Sequence, residues 1–138
     1  MRVVELGCGL GVPSLVAAHR GADVVATDWA ADAVDLLRTN AERNGITLQA
    51  KVWDWREPWA GRFDLALAAD VLYELRNVDP VVDALRRLAP EALIGLAGRP
   101  YERQFSSAVE SCKEVAPRVV RVRLRDGVSS LEPPVSEP

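Results

Sequence analysis

At 138 residues, 49% of them hydrophobic, the chain has the length of one domain and enough apolar content for a core, which excludes a disordered chain. A net charge of −3 argues against a general nucleic-acid binder, and no run of about 18 apolar residues marks a membrane span. The two cysteines, Cys8 and Cys112, are too few for a disulfide framework and lack metal-ligand spacing, so a reduced, cytoplasmic setting is expected.

The chain enters an apolar strand at once, over Arg2–Leu6, with no charged leader ahead of a long apolar region. Gly7, Gly9 and Gly11 then make a glycine-rich turn, and a helix is predicted over Val12–Arg20. Pro13 falls in its first turn, where a missing N–H costs nothing. The second strand, Ala22–Thr27, closes on Asp28. Ala33, Val34, Leu37 and Ala41 set an apolar stripe for a helix over Ala30–Asn44, stopped by Gly45. A third strand is read over Thr47–Trp53, followed by a polar, proline-bearing connection from Asp54 to Arg62. Phe63–Ala69 is a strongly apolar fourth strand ending at Asp70. A helix over Val78–Leu88, a fifth strand over Ala92–Ala97, a helix over Tyr101–Val115 and a sixth strand over Val119–Leu124 complete the pattern. On that last strand Arg121, Arg123 and Arg125 alternate with Val120, Val122 and Leu124, which reads as a solvated or edge-protecting face. Residues 126–138 lose the periodicity, collect proline and serine, and are read as a tail to a domain over 1–125.

Alternating strands and helices imply an α/β fold: a Rossmann-like, doubly wound, mostly parallel sheet in three α/β/α layers. In such sheets ligands bind beyond the carboxyl ends of the strands. Glu5, Gly7, Gly9 and Gly11 crowd that end of the first strand. A nicotinamide fingerprint, G-x-G-x-x-G, needs a small residue where Val12 stands, so a nicotinamide enzyme is only a minor alternative. An acidic residue closing the second strand accepts from ribose hydroxyls in nucleotide-binding folds, which points to Asp28; capping the next helix is the plainer role for the same side chain. Asp54, between Trp53 and Trp55, has the chemistry to accept from an adenine amino group, with Trp55 or Trp29 as candidates to cover the ring; a solvated turn is the alternative. Alternation alone leaves open which of Trp53 and Trp55 faces inward. His19, at a helix end without a partner in sequence, reads as non-catalytic.

The run Glu5-x-Gly7-x-Gly9-x-Gly11 resembles motif I of the seven-strand S-adenosylmethionine-dependent methyltransferases. The run from Phe63 to Glu74, carrying Asp70 and Tyr73, resembles the D-x-x-Y signature of a lysine methyltransferase group that includes the electron-transfer-flavoprotein β-subunit enzyme. The stretch Leu93–Pro100 is similar to the segment after the fifth strand in that group, although Leu96-Ala97 stand where an aspartate and proline usually precede Gly-Arg. The resemblance runs from Val3 to Tyr101 and implies an enzyme that uses S-adenosyl-L-methionine, with no metal. It implies that Glu5, Gly7, Gly9 and Gly11 form the turn around the methionine part, with Asp28 on the ribose and Asp54, Trp29 and Trp55 about the adenine. Asp70 and Tyr73 would stand where a protein or small-molecule acceptor meets the methyl group. Asp70 as a helix cap and Tyr73 as a core ring are the structural alternatives. The family pattern also leads one to expect a helix before the first strand and an antiparallel last strand. Here the sheet is expected to be incomplete at the N-terminus and at the last strand, as in a shortened reading frame. A catalytically weak cofactor-binding or scaffold domain is therefore the alternative function.

Overall fold

The computed structural model describes residues 1–125. Seven strands form one sheet: β1 (Arg2–Leu6), β2 (Asp23–Asp28), β3 (Gln49–Val52), β4 (Leu65–Ala69), β5 (Glu91–Gly95), β6 (Ser111–Ala116) and β7 (Val119–Arg123). Their spatial order is β3-β2-β1-β4-β5-β7-β6. The first five are mutually parallel, and β7 runs antiparallel to both β5 and β6. Four helices connect them: α1 (Val12–His19), α2 (Ala31–Arg43), α3 (Val78–Leu88) and α4 (Glu102–Ala108).

The period-two alternation of the strands assigns the two faces of the sheet. Val4, Leu6, Ala66, Ala68, Ala92, Ile94, Val120 and Val122 share one face and merge with Val81, Val82, Leu85 and Leu88 of α3 and Phe105 of α4 into the larger core. On the other face Ala26 and Ala50 pack with Val34 and Leu37 of α2. Among the described residues, that second face is covered over β1–β3 only. Further along it, Leu65, Leu67 and Leu93 line an apolar groove of about 890 Å³, bordered by Val12 and Val16 of α1.

Two differences from the sequence reading concern the C-terminal part. The helix predicted over Tyr101–Val115 ends at Ala108, and Ser111–Ala116 is strand β6. The apolar residues Phe105, Ala108, Val109 and Cys112 do fall at helical spacing. However, Ser111–Ala116 pairs with β7 along its length, and sheet pairing overrides the local pattern. The strand read as the sixth is therefore the seventh, and the antiparallel last strand that the sequence was expected to lack is present. Residues 126–138, read from the sequence as a tail, lie outside the described residues. Val120, Val122 and Leu124 are buried and Arg121, Arg123 and Arg125 exposed, as the alternation requires. Among the described residues, no helix is long and apolar enough to cross a membrane.

Candidate active site

In the sheet order the chain switches direction between β1 and β4, and the loops leaving neighbouring strands there diverge to opposite faces, opening a crevice. A cavity of about 420 Å³ lies at this point, at the carboxyl ends of β1 to β4, within the range of small-ligand sites. Gly7, Trp29, Asp54, Trp55 and Tyr73 line it, so five of the residues singled out from sequence meet there. Trp53 lines it as well, and both Trp53 and Trp55 are buried, so the choice between them dissolves.

The glycine turn is shaped by backbone demands. Gly7 has φ 63°, and a Cβ there would lie 3.1 Å from Val71 Cγ1 and 3.6 Å from the Trp55 ring. Gly7 thus keeps the cavity floor free of side-chain bulk. Gly11 serves packing instead: at φ 78° a Cβ would come within 2.1 Å of the buried Leu37 Cδ1. Its N–H donates to Cys8 O at 2.7 Å and closes the turn onto α1.

Glu5 does not line the cavity. It is 1% exposed and its Oε2 accepts from the Ser14 N–H at 3.0 Å and from Ser14 Oγ, so it caps the first turn of α1. Burial pushes its carboxyl up to about 7, against the lowering effect of the two Ser14 hydrogen bonds, with the nearby Asp28 charge adding to the rise. The same burial, with Glu5 and Asp28 close by, drives the Cys8 thiol up to about 12. Asp28 Oδ2 accepts from the Gly9 N–H at 2.9 Å and Oδ1 from the Ala30 N–H at 2.9 Å. One carboxylate therefore ties the glycine turn to the start of α2. Each of its oxygens retains a further lone pair.

At the far wall Asp54 Oδ1 accepts from the Arg56 N–H at 2.8 Å, and the Arg56 guanidinium reaches across to Asn77 Oδ1 at 3.1 Å. Arg76 pairs with Glu74 at the rim. Sequence reasoning passed over Arg56, Asn77, Glu74 and Arg76. Only the position of Arg56, two residues after Asp54, hinted at the first. The buried Trp55 indole N–H has no hydrogen-bond partner among the described residues, the kind of orphan that a ligand acceptor satisfies.

Asp70 and Tyr73 separate. Tyr73 lines the cavity with Gly7, 43% exposed. Asp70 turns toward the loop after β5, where Arg99 grips it with Nε–Oδ1 at 3.0 Å and Nη2–Oδ2 at 2.8 Å. That guanidinium holds the Asp70 carboxyl below the usual carboxylate range. Asp70 also adopts φ 51°, uncommon for a residue with a Cβ.

The cavity has aromatic walls that suit a purine face, the Asp54 carboxylate after β3 for an amino donor, and a floor that a Cβ would fill, while Asp28 stands outside its lining, on the Gly9 and Ala30 amides. Comparison with known proteins agrees. Residues 1–108 match the family model described as lysine methyltransferase. The chain is 37% identical over 97 residues to the ribosomal protein L11 methyltransferase of Dechloromonas aromatica (strain RCB), covering 70% of this chain and 31% of that protein. It is 30% identical over 105 residues to EEF1A lysine methyltransferase 3 of Mus musculus, covering 71% and 45%. Among solved structures, magnesium protoporphyrin IX methyltransferase from Synechocystis PCC 6803 with bound S-adenosylmethionine superposes with a TM-score of 0.71 at 20% identity, over 88% of this chain and 69% of that one. The chain thus spans less than half the length of those two curated relatives. With the fold, the cavity and the match over residues 1–108 together, the chain belongs to the lysine methyltransferase family, S-adenosylmethionine-dependent enzymes built on a Rossmann-like sheet.

Proposed function

We propose that the chain transfers a methyl group from S-adenosyl-L-methionine to a nitrogen nucleophile, with a protein lysine as the acceptor class. The observation that carries this reading is that Tyr73, from the Asp70–Tyr73 run, shares one cavity with Gly7 of the glycine turn. That shared lining supports Tyr73 as an acceptor-side residue next to the cofactor-side Gly7, with Asp70 outside the lining. The L11 and EEF1A methyltransferases, by their names, act on proteins, which favours a protein acceptor here too.

When bound, the cofactor supplies a sulfonium-activated methyl group for in-line displacement. The chain's own residues do the rest. Asp54 would accept from the adenine amino group, Trp29, Trp53 and Trp55 would shield the ring from water, and Asp28 would use its free lone pairs on the ribose. Gly7 and Gly9 would leave the donor end unobstructed. A lysine amine, with a free pKa near 10.4, must shed a proton before attack. Asp70 attracts the ammonium form, and desolvation beside the Tyr73 ring lowers its pKa so that the proton leaves to solvent. Positioning of the amine, rather than covalent chemistry by the protein, then dominates the rate.

Calorimetry with S-adenosylmethionine, S-adenosylhomocysteine and NAD, followed by labelled methyl transfer into cell lysate, tests this reading. Binding of the first two and label on lysine support it. Binding of NAD in preference, or label on oxygen only, overturns it. Asp70→Ala is expected to lower turnover while leaving cofactor affinity within about twofold, the pattern of a group that meets the acceptor.

A further inference from the structure

The grip of Arg99 on Asp70 has features that a static brace does not require. Both side chains are close to half exposed, 46% and 43%, so water screens the pair and its net strength is small. The loop that carries Arg99 is fixed by its backbone. Glu102 N–H donates to Arg99 O at 3.3 Å, and Glu102 Oε2 accepts from the Ala97 N–H at 3.0 Å. The guanidinium is therefore free to swing on its own torsions while the loop stays in place. Asp70 itself is anchored through its N–H to Gly95 O at 3.0 Å, independently of Arg99. Asp70 is thus a carboxylate whose cationic partner, Arg99, can leave without loosening the backbone on either side, three residues before Tyr73 in the chain.

We propose that Arg99 is a specificity-determining residue: its guanidinium stands in for a protonated primary amine on Asp70 in the resting protein and yields that carboxylate when the acceptor enters. The inference rests on the lysine-acceptor reading above and extends it to selection. No bond forms or breaks in the exchange; one cation replaces another on the same two oxygens. The exchange admits a compact ammonium, whose three donors can occupy the two oxygens that the guanidinium fork releases. It disfavours an anionic acceptor, which would have to pair with Arg99 and leave Asp70 uncompensated.

The test follows the Arg99 Nε–H signal by NMR in the full chain with saturating S-adenosylhomocysteine, titrated with n-butylammonium chloride against sodium chloride and sodium propionate at equal ionic strength. Butylammonium alone should shift the Arg99 signal. Arg99→Ala should bind butylammonium roughly threefold more tightly, the factor that a half-exposed competing ion pair supplies. Arg99→Lys should bind as the wild type does, because it restores a cation without restoring the fork. Asp70→Asn should abolish the response. Weaker ammonium binding by Arg99→Ala, or an Arg99→Lys variant that behaves like Arg99→Ala, would make the pair a brace and overturn the proposal. A propionate-induced shift would assign Arg99 to an anionic acceptor and overturn it too. Should either variant unfold, the wild-type titration alone still decides between the ammonium and propionate responses. S-adenosylhomocysteine binding, read calorimetrically in the same samples, reports separately on the cofactor reading.

Discussion

Glu5 shows how one buried atom group changes the meaning of a motif. From sequence it stood beside the methionine end of a cofactor; in the fold its carboxyl is spent on Ser14 at the head of α1. Because its folded value, about 7, lies above the ordinary glutamate value of 4.5, the native state holds the proton more tightly than the unfolded chain. The stability this contributes is fully present below about 4.5 and is lost as pH rises through about 7. Urea denaturation at pH 5 and pH 8 should differ by about 2.5 kcal/mol more in the wild type than in Glu5→Gln, where the group cannot ionise. An identical pH profile in the two proteins would remove Glu5 as the cause. Asp28 behaves differently, since its side chain holds the Gly9 amide in place and keeps lone pairs to spare. Asp28→Ala should weaken S-adenosylhomocysteine affinity by more than about tenfold in calorimetry, the scale of lost charge-assisted hydrogen bonds. Cys8, buried and driven up to about 12, should resist iodoacetamide at pH 8 in the native protein, while half-buried Cys112 reacts first. Peptide mapping of the alkylated chain reads out the order.

Elements set by strong local patterns were legible before the fold was known. The apolar β1 and β4, the proline and glycines around α1, and the stripe of Val34, Leu37 and Ala41 on α2 each needed only their own period. Cavity residues at strand ends followed from those assignments, because a strand end is a place that sequence can name. What sequence could not give was pairing between distant segments. Ser111–Ala116 carries only one partly buried residue, Cys112, and becomes a strand because β7 pairs with it, which no local pattern records. Likewise Arg99 and Asp70 meet only because β4 and β5 are neighbours with Ala69 opposite Gly95. The packing of α1 against α2 through the glycine turn is a second such contact. Gly11→Ala must bear both the positive φ and the encounter with Leu37, so it should lose about 2 kcal/mol or more of stability in urea unfolding. A loss below about 0.5 kcal/mol would mean that α1 shifts freely and that Leu37 does not fix the turn.

Across the whole molecule, the two faces of the sheet are treated unequally. One is packed under α3 and α4; on the other, among the described residues, Leu65, Leu67 and Leu93 line an open groove beside α1. Apolar grooves of this kind take up hydrophobic dyes. The natively folded protein should raise anilinonaphthalene sulfonate fluorescence at neutral pH while near-UV circular dichroism stays intact, and Leu67→Gln should reduce the signal by roughly half. Dye uptake that appears only once the aromatic dichroism is gone would show the groove closed in the native state.

The order of the last two strands has a consequence for biosynthesis. β7 is made after β6 yet lies inside it, wedged against β5. A nascent chain that has emerged only to residue 108, the limit of the family match, exposes β5 as a bare edge with every other segment of the parallel sheet in hand. Such a chain offers a ready template to another like it on a neighbouring ribosome. The hairpin that sequence alone disguised as helix therefore moves that edge outward from apolar β5 to exposed β6, where Lys113 and Glu114 discourage such pairing during translation.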